Sequence, residues 1–237
     1  MSILECVDLT KEYISGENIV KAVDHVNVSF EQGEFCAVTG PSGSGKSTLL
    51  HLLSSLESPT SGEVIYSDKK LSSYNDNQLS ILRRRRFGFV FQSYNLVQEL
   101  TGYENIILPV MLDKKKPDDE YISKLISVLG IEDRLAHLPS ALSGGQQQRI
   151  AIARALANKP SVLFADEPTG NLDAASGREV LSLLKYTGRE LGITLILVTH
   201  DLHVAEQAGR ILTIEDGRIV SDTKAQGGVI REKETDG

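Results

Sequence analysis

The stretch GPSGSGKS at residues 40–47 fits the pattern G-x-x-x-x-G-K-[ST]. It follows the apolar run Phe35–Thr39, which predicts a strand, and it opens a predicted helix over residues 46–56. Glycines permit a tight turn whose backbone N–H groups converge on phosphate oxygens, and the helix N-terminus adds the positive end of its dipole. A flexible glycine turn is the plain alternative, but the strand before it and the helix after it favour a phosphate-binding loop.

Two kinds of side chain extend this hypothesis to nucleotide chemistry. Lys46 is expected to place its charge on the β- and γ-phosphates, and the Ser47 hydroxyl is expected to ligate Mg²⁺. Asp166 and Glu167 follow the apolar run 162–165, and ligands of α/β sheets bind at the carboxyl ends of strands. Asp166 suits a Mg²⁺ site and Glu167 suits the polarisation of water, whereas an acidic pair that caps a helix is the alternative.

Length and composition limit the remaining possibilities. The 237 residues allow one domain, or one domain with an inserted subdomain. A net charge of -7 argues against a general nucleic-acid binder, and two cysteines exclude a disulfide framework. Residues 1–10 carry two acidic side chains and no basic one, so we expect no signal peptide. No run approaches about 18 uncharged apolar residues, so no membrane span is expected.

The order of patterns along the chain predicts an α/β fold. Residues 3–7 and 19–30 resemble antiparallel strands, and residues 95–159 are mostly helical in pattern. The unbroken apolar runs 162–165 and Thr194–Val198 are typical of parallel strands that are buried on both faces. We therefore expect an α/β core, an antiparallel sheet near the N-terminus and a helical insert. The polar stretch 223–237 is expected to be a flexible tail.

A second glycine-containing segment, LSGGQ at residues 142–146, precedes a run of helix formers. Ser143 has the character of an N-cap, and the helix that follows would offer N–H groups to an anion. The chain thus has two helix starts that suit phosphate. One fold unit rarely uses both on one nucleotide, so a two-fold dimer with a nucleotide between one loop and the partner's second helix is the natural arrangement.

Over residues 2–222 the sequence resembles the ATPase subunits of ABC transporters. The matching motifs occur in the family's order: Walker A at residues 40–48, the Q-loop at Gln92, the signature at 142–146, Walker B at 162–167, the D-loop at 171–173 and the switch histidine at His200. The resemblance implies a P-loop RecA-like core with an N-terminal antiparallel β-subdomain and an α-helical subdomain inserted at 93–159, all within residues 1–222.

The resemblance also implies roles for individual residues. Ser143 and Gly145 would contact the γ-phosphate in trans, Gln92 would reach Mg²⁺ and couple to the membrane partner, and His200 would hold the γ-phosphate. Tyr13 resembles the aromatic residue that stacks on adenine. The other expected contacts of ATP are Gly40, Ser42, Gly43, Ser44, Gly45, Thr48, Gly144, Gln146 and Asp173.

Plain alternatives remain open for several of these residues. Gln92 could be an ordinary polar residue at a strand end, His200 a structural histidine and Tyr13 an exposed strand tyrosine. The basic runs 83–86 and 114–116 are solvated surface by default, although the first could meet acidic groups of a partner or lipid headgroups.

The implied partners are a second ATPase subunit, in a homodimer, and an integral membrane permease subunit, with no nucleic acid. The implied location is peripheral, on the cytoplasmic face of the cell membrane. The stretches 87–92, 100–105 and 168–173 resemble the macrolide-exporter and lipoprotein-release group, and residues 183–185 and 214–217 resemble its antimicrobial-peptide export and sensing branch. The cell-division branch is also similar, but less so around Gln92. A cytoplasmic helix of the permease is expected to dock near residues 92–100, with Leu96, Val97 and Leu100 as apolar contacts.

Three other ABC ATPase functions compete with transport. ATPases of DNA maintenance carry long coiled-coil or zinc insertions, and this sequence has neither sustained heptads nor paired C-x-x-C motifs. Translation factors need two tandem ATPase units, and one Walker A motif is present here. The iron–sulfur assembly ATPase is also single-domain, but residues 95–110 resemble the exporter group more closely.

Overall fold

The computed structural model describes residues 2–16, 18–226 and 229–231. The chain divides into two compact units, Met1–Leu79 with Thr194–Gly237 and Ser80–Ile193. In the described part of the chain, no helix is long and apolar enough to cross a bilayer.

The strands in chain order are β1 (Ser2–Ser15), β2 (Asn18–Glu31), β3 (Phe35–Thr39), β4 (Ser61–Tyr66), β5 (Lys69–Lys70), β6 (Phe87–Phe91), β7 (Val162–Asp166), β8 (Thr194–Val198), β9 (Arg210–Glu215), β10 (Arg218–Gln226) and β11 (Val229–Arg231). The α-helices are α1 (Lys46–Leu53), α2 (Asp76–Arg86), α3 (Gly102–Leu112), α4 (Asp119–Leu129), α5 (Gly144–Leu156), α6 (Ala174–Glu190) and α7 (Leu202–Ala205).

The first unit contains the predicted antiparallel sheet, in the order β2-β1-β4-β5. In β2, Val26, Val28 and Phe30 are buried and alternate with exposed residues, which is the period-two pattern of a strand with one solvent-exposed face. The N-terminal antiparallel sheet expected from the sequence is confirmed.

A second sheet of the same unit holds β11, β10, β9, β3 and β8 in that order. Strand β3 pairs in parallel with both β8 and β9, so that Cys36 lies opposite Ile196 on one side and Arg210 on the other. Because parallel strands end at the same edge of a sheet, the loop after β3 and the segment after β8 share that edge. Helix α1 packs against β8.

The second unit is built around α5, which packs against α3, α4, α6 and β6. Its Ile150, Ala151, Ile152 and Ala153 are all fully buried, so this helix is apolar on more than one side. Strands β6 and β7 pair in parallel, and the Phe87 ring meets the edge of the Phe164 ring at a centroid distance of 5.3 Å. The helical pattern expected over residues 95–159 is confirmed by α3, α4 and α5.

Some boundaries differ from those that the sequence predicts. Strand β1 runs on to Ser15 instead of ending at residue 7, because bulges at the positive-φ residues Asp8 and His25 keep it paired with β2. Helix α1 ends at Leu53 instead of residue 56, because Ser55 takes a left-handed φ of 56°. The pattern also failed to reveal β4, β5 and α2, which are short or mostly polar.

The predicted tail begins inside β10. That strand continues to Gln226 and pairs with β11, so residues 223–226 and 229–231 are strand where the sequence predicted a flexible tail. Residues 227–228 and 232–237 of the predicted tail lie outside the described residues.

Candidate active site

The phosphate loop of the first unit has a backbone that glycine alone fits. Gly40, Gly43 and Gly45 have φ values of 142°, 78° and 101°. A Cβ at Gly40 would lie 2.0 Å from the main-chain oxygen of Ile214, and one at Gly45 would lie 1.9 Å from that of Ala22. The neighbouring strands therefore hold the loop in a compact form that leaves no room for a side chain at these two positions.

Lys46 stands at the first position of α1 and is 8% exposed. Its Nζ donates to the carbonyl oxygens of Gly40, at 2.9 Å, and Pro41, at 2.6 Å. An ammonium group has three N–H donors, so these carbonyls occupy two of them. The charge is thus held at the mouth of the loop.

The start of α1 fits a phosphate group. Its N-cap is Gly45, whose lack of a side chain means that no side-chain oxygen caps the first turn. Ser44 is 3% exposed, and its Oγ has no hydrogen-bond partner among the described residues. Uncapped helix N–H groups and an unpaired buried hydroxyl are what an anion with several oxygens would satisfy.

Tyr13 lies beside this helix. Its hydroxyl donates to Glu57 Oε2 at 2.7 Å, and Thr48, in the first turn of α1, is a second hydrogen-bonding neighbour. The Tyr13 side chain is 40% exposed, and Lys11 Nζ lies 5.2 Å from its ring centroid. Partial burial and the neighbouring Glu57 raise the pKa of Tyr13, so the ring stays neutral at physiological pH. An exposed, neutral ring at this place can stack on a base.

His200 follows β8 at the edge of the sheet that also carries the phosphate loop. The preceding residue, Thr199, donates its N–H to the carbonyl of Val38 in β3, at 3.1 Å. The Thr199 Oγ1 accepts from the N–H of Asp201. His200 is exposed, and it lies on a turn that these two hydrogen bonds anchor.

The paired carboxylates belong to the second unit. Asp166 is the last residue of β7, and Glu167 follows with a φ of 47°, an uncommon conformation for a residue with a side chain. The carbonyl of Glu167 accepts from the N–H of Gly170 at 3.0 Å, which closes a turn. Buried Gln148 of α5 donates to the carbonyl of Pro168 at 2.6 Å. Both carboxylates are partly exposed, so water can reach them.

Gln92 is tied to the D-loop within the same unit. Its Nε2 donates to Asn171 Oδ1 at 3.2 Å, and Asn171 Nδ2 donates back to the Gln92 carbonyl at 3.0 Å. The first bond uses the amide nitrogen, not the amide oxygen. Asp173 caps α6 by accepting from the N–H groups of Ala175 and Ser176, both at 3.0 Å.

The backbone after Gln92 is fixed by a residue of the signature helix. Tyr94 and Asn95 both have positive φ, 59° and 49°. The Arg154 guanidinium donates to their carbonyl oxygens, at 2.8 Å for Tyr94 and 2.5 Å for Asn95. Burial lowers the pKa of Arg154 from its ordinary value, but a guanidinium stays charged under any physiological condition. Arg154 thus links the Q-loop to α5.

The signature residues start α5 and are already capped. Ser143 Oγ accepts from the N–H of Gln146 at 3.4 Å, and Gln146 Oε1 accepts from the N–H of Ser143 at 3.0 Å. The expected N-cap at Ser143 is confirmed. A Cβ on Gly144 would lie 2.7 Å from the Tyr94 hydroxyl oxygen, and one on Gly145 would lie 3.5 Å from Ser176. Gly144 of the signature thus lies beside Tyr94, which follows Gln92, and beside Leu172 of the D-loop.

Within each unit the structure brings together most of the predicted residues. The first unit joins the phosphate loop, Tyr13 and His200; the second joins Gln92, the carboxylates, the signature and Asp173. The organising residues Gln148, Tyr94 and Arg154 were not anticipated. Their proximity in sequence to Gln92 and to the signature was the available signal, but no pattern showed that they meet.

The predicted docking segment needs one correction. Leu96 is 7% exposed and packed inside the unit, so it is not a surface contact, whereas Val97 is 37% exposed and Leu100 is partly exposed. The carbonyl and amide of Val97 bond to the side chain of Asn105, at 3.0 and 2.8 Å, which turns Leu96 inward.

A sequence profile of the ABC transporter family matches residues 23–170. An uncharacterized ABC transporter ATP-binding protein of Methanocaldococcus jannaschii is 48% identical over 221 residues, which cover 92% of this chain and 97% of that protein. The macrolide export ATP-binding/permease protein MacB of Vibrio parahaemolyticus is 45% identical over 233 residues, which cover 98% of this chain and 36% of that protein.

A solved structure gives the same assignment. The dimeric, post-hydrolysis structure of the ATP-binding cassette MJ0796 with ADP and Pi has a TM-score of 0.86 and 41% sequence identity, and the match covers 94% of this chain and 99% of that chain. The chain therefore belongs to the ABC transporter family, and it is an ATP-binding, ATP-hydrolysing subunit of a transporter.

Proposed function

We propose that this chain hydrolyses ATP as one half of a homodimer and drives a separate membrane permease for the export or sensing of antimicrobial peptides, macrolides or lipoproteins. The observation that carries the ATPase part is the start of α1. There the helix has no side-chain cap, the Lys46 cation is buried, and the Ser44 hydroxyl has no partner in the described part of the chain, so the three together suit an anion. The ATP ligands would be Tyr13 and residues 40–48, and His200 would hold the γ-phosphate.

Hydrolysis needs a group that takes a proton from water. Glu167 is the proposed base, because its carboxylate follows β7 on a turn that Gly170 and Gln148 hold in place. The proposed Mg²⁺ ligands are Ser47, Gln92 and Asp166, whose hydroxyl, amide and carboxylate oxygens are the donors that this ion prefers. A bound Mg²⁺ would neutralise charge that develops on the phosphate oxygens.

The proposed dimer uses the signature residues Ser143, Gly144, Gly145 and Gln146 together with Asp173 on the nucleotide of the second copy. The dimeric state of the similar cassette MJ0796 supports this arrangement. MacB is named as an ATP-binding and permease protein, which supports a permease partner for this chain. The match covers 36% of MacB, so the remainder of that protein is long enough to contain its permease region. A permease partner would place the chain at the cytoplasmic face of the cell membrane.

The catalytic assignment is tested by Glu167→Gln. We expect ATP affinity within about twofold of wild type and at least about a hundredfold slower phosphate release, because the amide keeps the shape and loses the basicity. Trapped ATP should also shift the protein to a dimer in size-exclusion chromatography with Mg-ATP. Glu190→Gln, an exposed glutamate at the end of α6, is the matched control and should behave as wild type. Normal turnover in Glu167→Gln would exclude this residue as the base.

The partner assignment is tested by co-purification from membranes. We expect a permease to co-purify with wild type and to be lost with Val97→Asp, which charges an exposed residue near Gln92, while basal ATPase activity persists. Val220→Asp, at a valine of β10 that is 47% exposed, is the control. Recovery of a soluble scaffold instead of a membrane protein would favour an iron–sulfur assembly ATPase.

A further inference from the structure

The C-terminal ends of α2 and α3 are joined at one buried carboxylate. The side chain of Asp113 is 1% exposed and accepts from Arg85 Nε at 2.8 Å and from Lys115 Nζ at 2.7 Å. Arg84 Nε lies 3.2 Å from the same carboxylate, and Arg84 Nη1 donates to the carbonyl of Leu112 at 2.8 Å. The basic runs 83–86 and 114–116, which are far apart in sequence, therefore form one surface, here named the basic end.

The basic end carries more charge than Asp113 can balance. Seven cationic side chains belong to it, and Asp113 engages three of them, Arg84, Arg85 and Lys115. In the described residues, the side chains of Arg86, Lys114 and Lys116 have no carboxylate within salt-bridge distance and are exposed. The nearby Asp118 is paired with Lys159 at 2.7 Å. This concentration of positive charge contrasts with a chain whose net charge is -7.

The same surface exposes large apolar side chains. Met111 and Leu112, the last two residues of α3, are 54% and 59% exposed. Ile81 is 39% exposed and lies one turn before Arg84 and Arg85 on the same face of α2. Exposed apolar residues are ordinary when they are scattered, but three of them beside a cluster of cations indicate an interaction surface.

We propose that the basic end binds the anionic phospholipid surface of a membrane directly, beside whatever contact the permease makes. Attachment at a membrane interface combines apolar side chains that enter the headgroup and acyl boundary with cations that meet lipid phosphates at the same depth. Met111 and Leu112 supply the first component and Arg86, Lys114 and Lys116 the second. A free nucleotide would need neither apolar residue, and an acidic protein segment would be served by the cations alone.

The first test uses vesicles that contain no protein. We expect the purified chain to sediment with vesicles of phosphatidylglycerol and phosphatidylcholine, to bind pure phosphatidylcholine at least about tenfold more weakly, and to lose binding as salt rises. Each Lys or Arg near such a surface contributes roughly fivefold to binding, so Lys114→Glu with Lys116→Glu should weaken it by at least about 25-fold. Met111→Ser with Leu112→Ser should weaken it by roughly tenfold.

Matched controls separate this site from general attraction. Lys69→Glu with Lys70→Glu changes an exposed basic pair on β5, and Leu202→Ser changes a leucine that is 67% exposed. Both should bind vesicles as wild type does. All of these variants should keep wild-type melting temperature and ATPase activity, because the altered side chains are exposed and lie outside the nucleotide residues. Because the vesicles contain no permease, the measured binding does not depend on the proposed permease.

Three outcomes would overturn the proposal. The first is equal binding to anionic and zwitterionic vesicles, and the second is an equal loss of binding in the β5 control. The third is binding to permease-containing vesicles alone, with the basic-end variants impaired there, which would assign the surface to an acidic segment of a protein partner.

Discussion

Helices α1 and α5 both begin at a glycine-containing segment, yet their first turns are built differently. The start of α1 has no side-chain cap, whereas α5 is closed by the reciprocal bonds of Ser143 and Gln146. The first helix therefore offers a ligand N–H groups that no capping side chain occupies, and the second offers groups that its own side chains already satisfy. A ligand at α5 has to replace or share that cap.

The atoms that leave no space for a side chain at the glycines also differ between the two segments. A Cβ on Gly45 would meet a main-chain oxygen of β2, which cannot move without breaking the sheet. A Cβ on Gly144 would meet the hydroxyl of Tyr94, which a second substitution can remove. The phosphate loop is thus fixed by backbone, and the signature is fixed by side chains, so the two should differ in how they tolerate change.

The largest effect is expected at the phosphate loop. Gly45→Ala combines a φ of 101° with a contact of 1.9 Å to the Ala22 carbonyl, so we expect a loss of about 2–4 kcal/mol in the free energy of unfolding and no measurable ATP binding. Gly192→Ala, at a φ of 63° with open space around it, should cost about 1 kcal/mol and leave ATP binding intact. Chemical denaturation and nucleotide titration measure both. Equal losses in the two variants would mean that the contact with Ala22 is unimportant.

At the signature, the expected effect is smaller and can be reversed. Gly144→Ala should cost about 1–2 kcal/mol of stability and slow turnover, because its methyl group meets the Tyr94 hydroxyl. Adding Tyr94→Phe removes that oxygen and leaves Leu172 Cδ2, at 3.4 Å, as the nearest atom. We expect the double variant to regain most of the stability and turnover. Independent, additive losses would show that Tyr94 is not the reason for this glycine.

The cap of α5 gives a third comparison, with a helix that carries the same device. Ser143→Ala should cost about 1 kcal/mol of stability, and Thr101→Ala should cost about the same at the capping box of α3. If Ser143 also contacts nucleotide in the second copy, its variant alone should lose dimerisation with Mg-ATP and turnover. Equal turnover in the two variants would mean that Ser143 only caps α5 and does not contact the nucleotide of the second copy.

The smallest expected effect is a pH dependence of stability, which should distinguish the charged helix cap Asp173 from the neutral cap Ser143. The hydrogen bond from the Ser176 hydroxyl, and then the one from its backbone N–H, hold the pKa of Asp173 below its ordinary value of about 4. A carboxyl whose pKa is lower in the folded state adds stability above its unfolded pKa and loses that contribution as pH falls through the folded pKa. The stability difference between wild type and Asp173→Asn should therefore shrink from pH 7 to pH 3. The difference for Ser143→Ala should stay constant, and a parallel change in both would contradict this assignment.

Elements that bury every face were predicted well. The strands Phe35–Thr39 and Thr194–Val198 match their predicted bounds, because a parallel strand in a core needs an unbroken apolar run. Helix α2 was missed, because most of its residues are polar or charged and Leu82 is the one residue that it buries, so no apolar period shows. The added length of β1 was missed because bulges interrupt the alternation that reveals a strand.

The sequence by itself determined the local patterns of this protein: the phosphate loop, the carboxylates after β7 and the signature are short motifs whose residue types predict phosphate and metal binding. Tertiary structure alone decided what fills the space around them. Ile214 reaches Gly40 from the far end of the chain, Tyr94 reaches Gly144 across about fifty residues, and the two basic runs meet at Asp113. A short motif encodes its own backbone and charges, whereas these contacts depend on how distant segments pack, which no local pattern records.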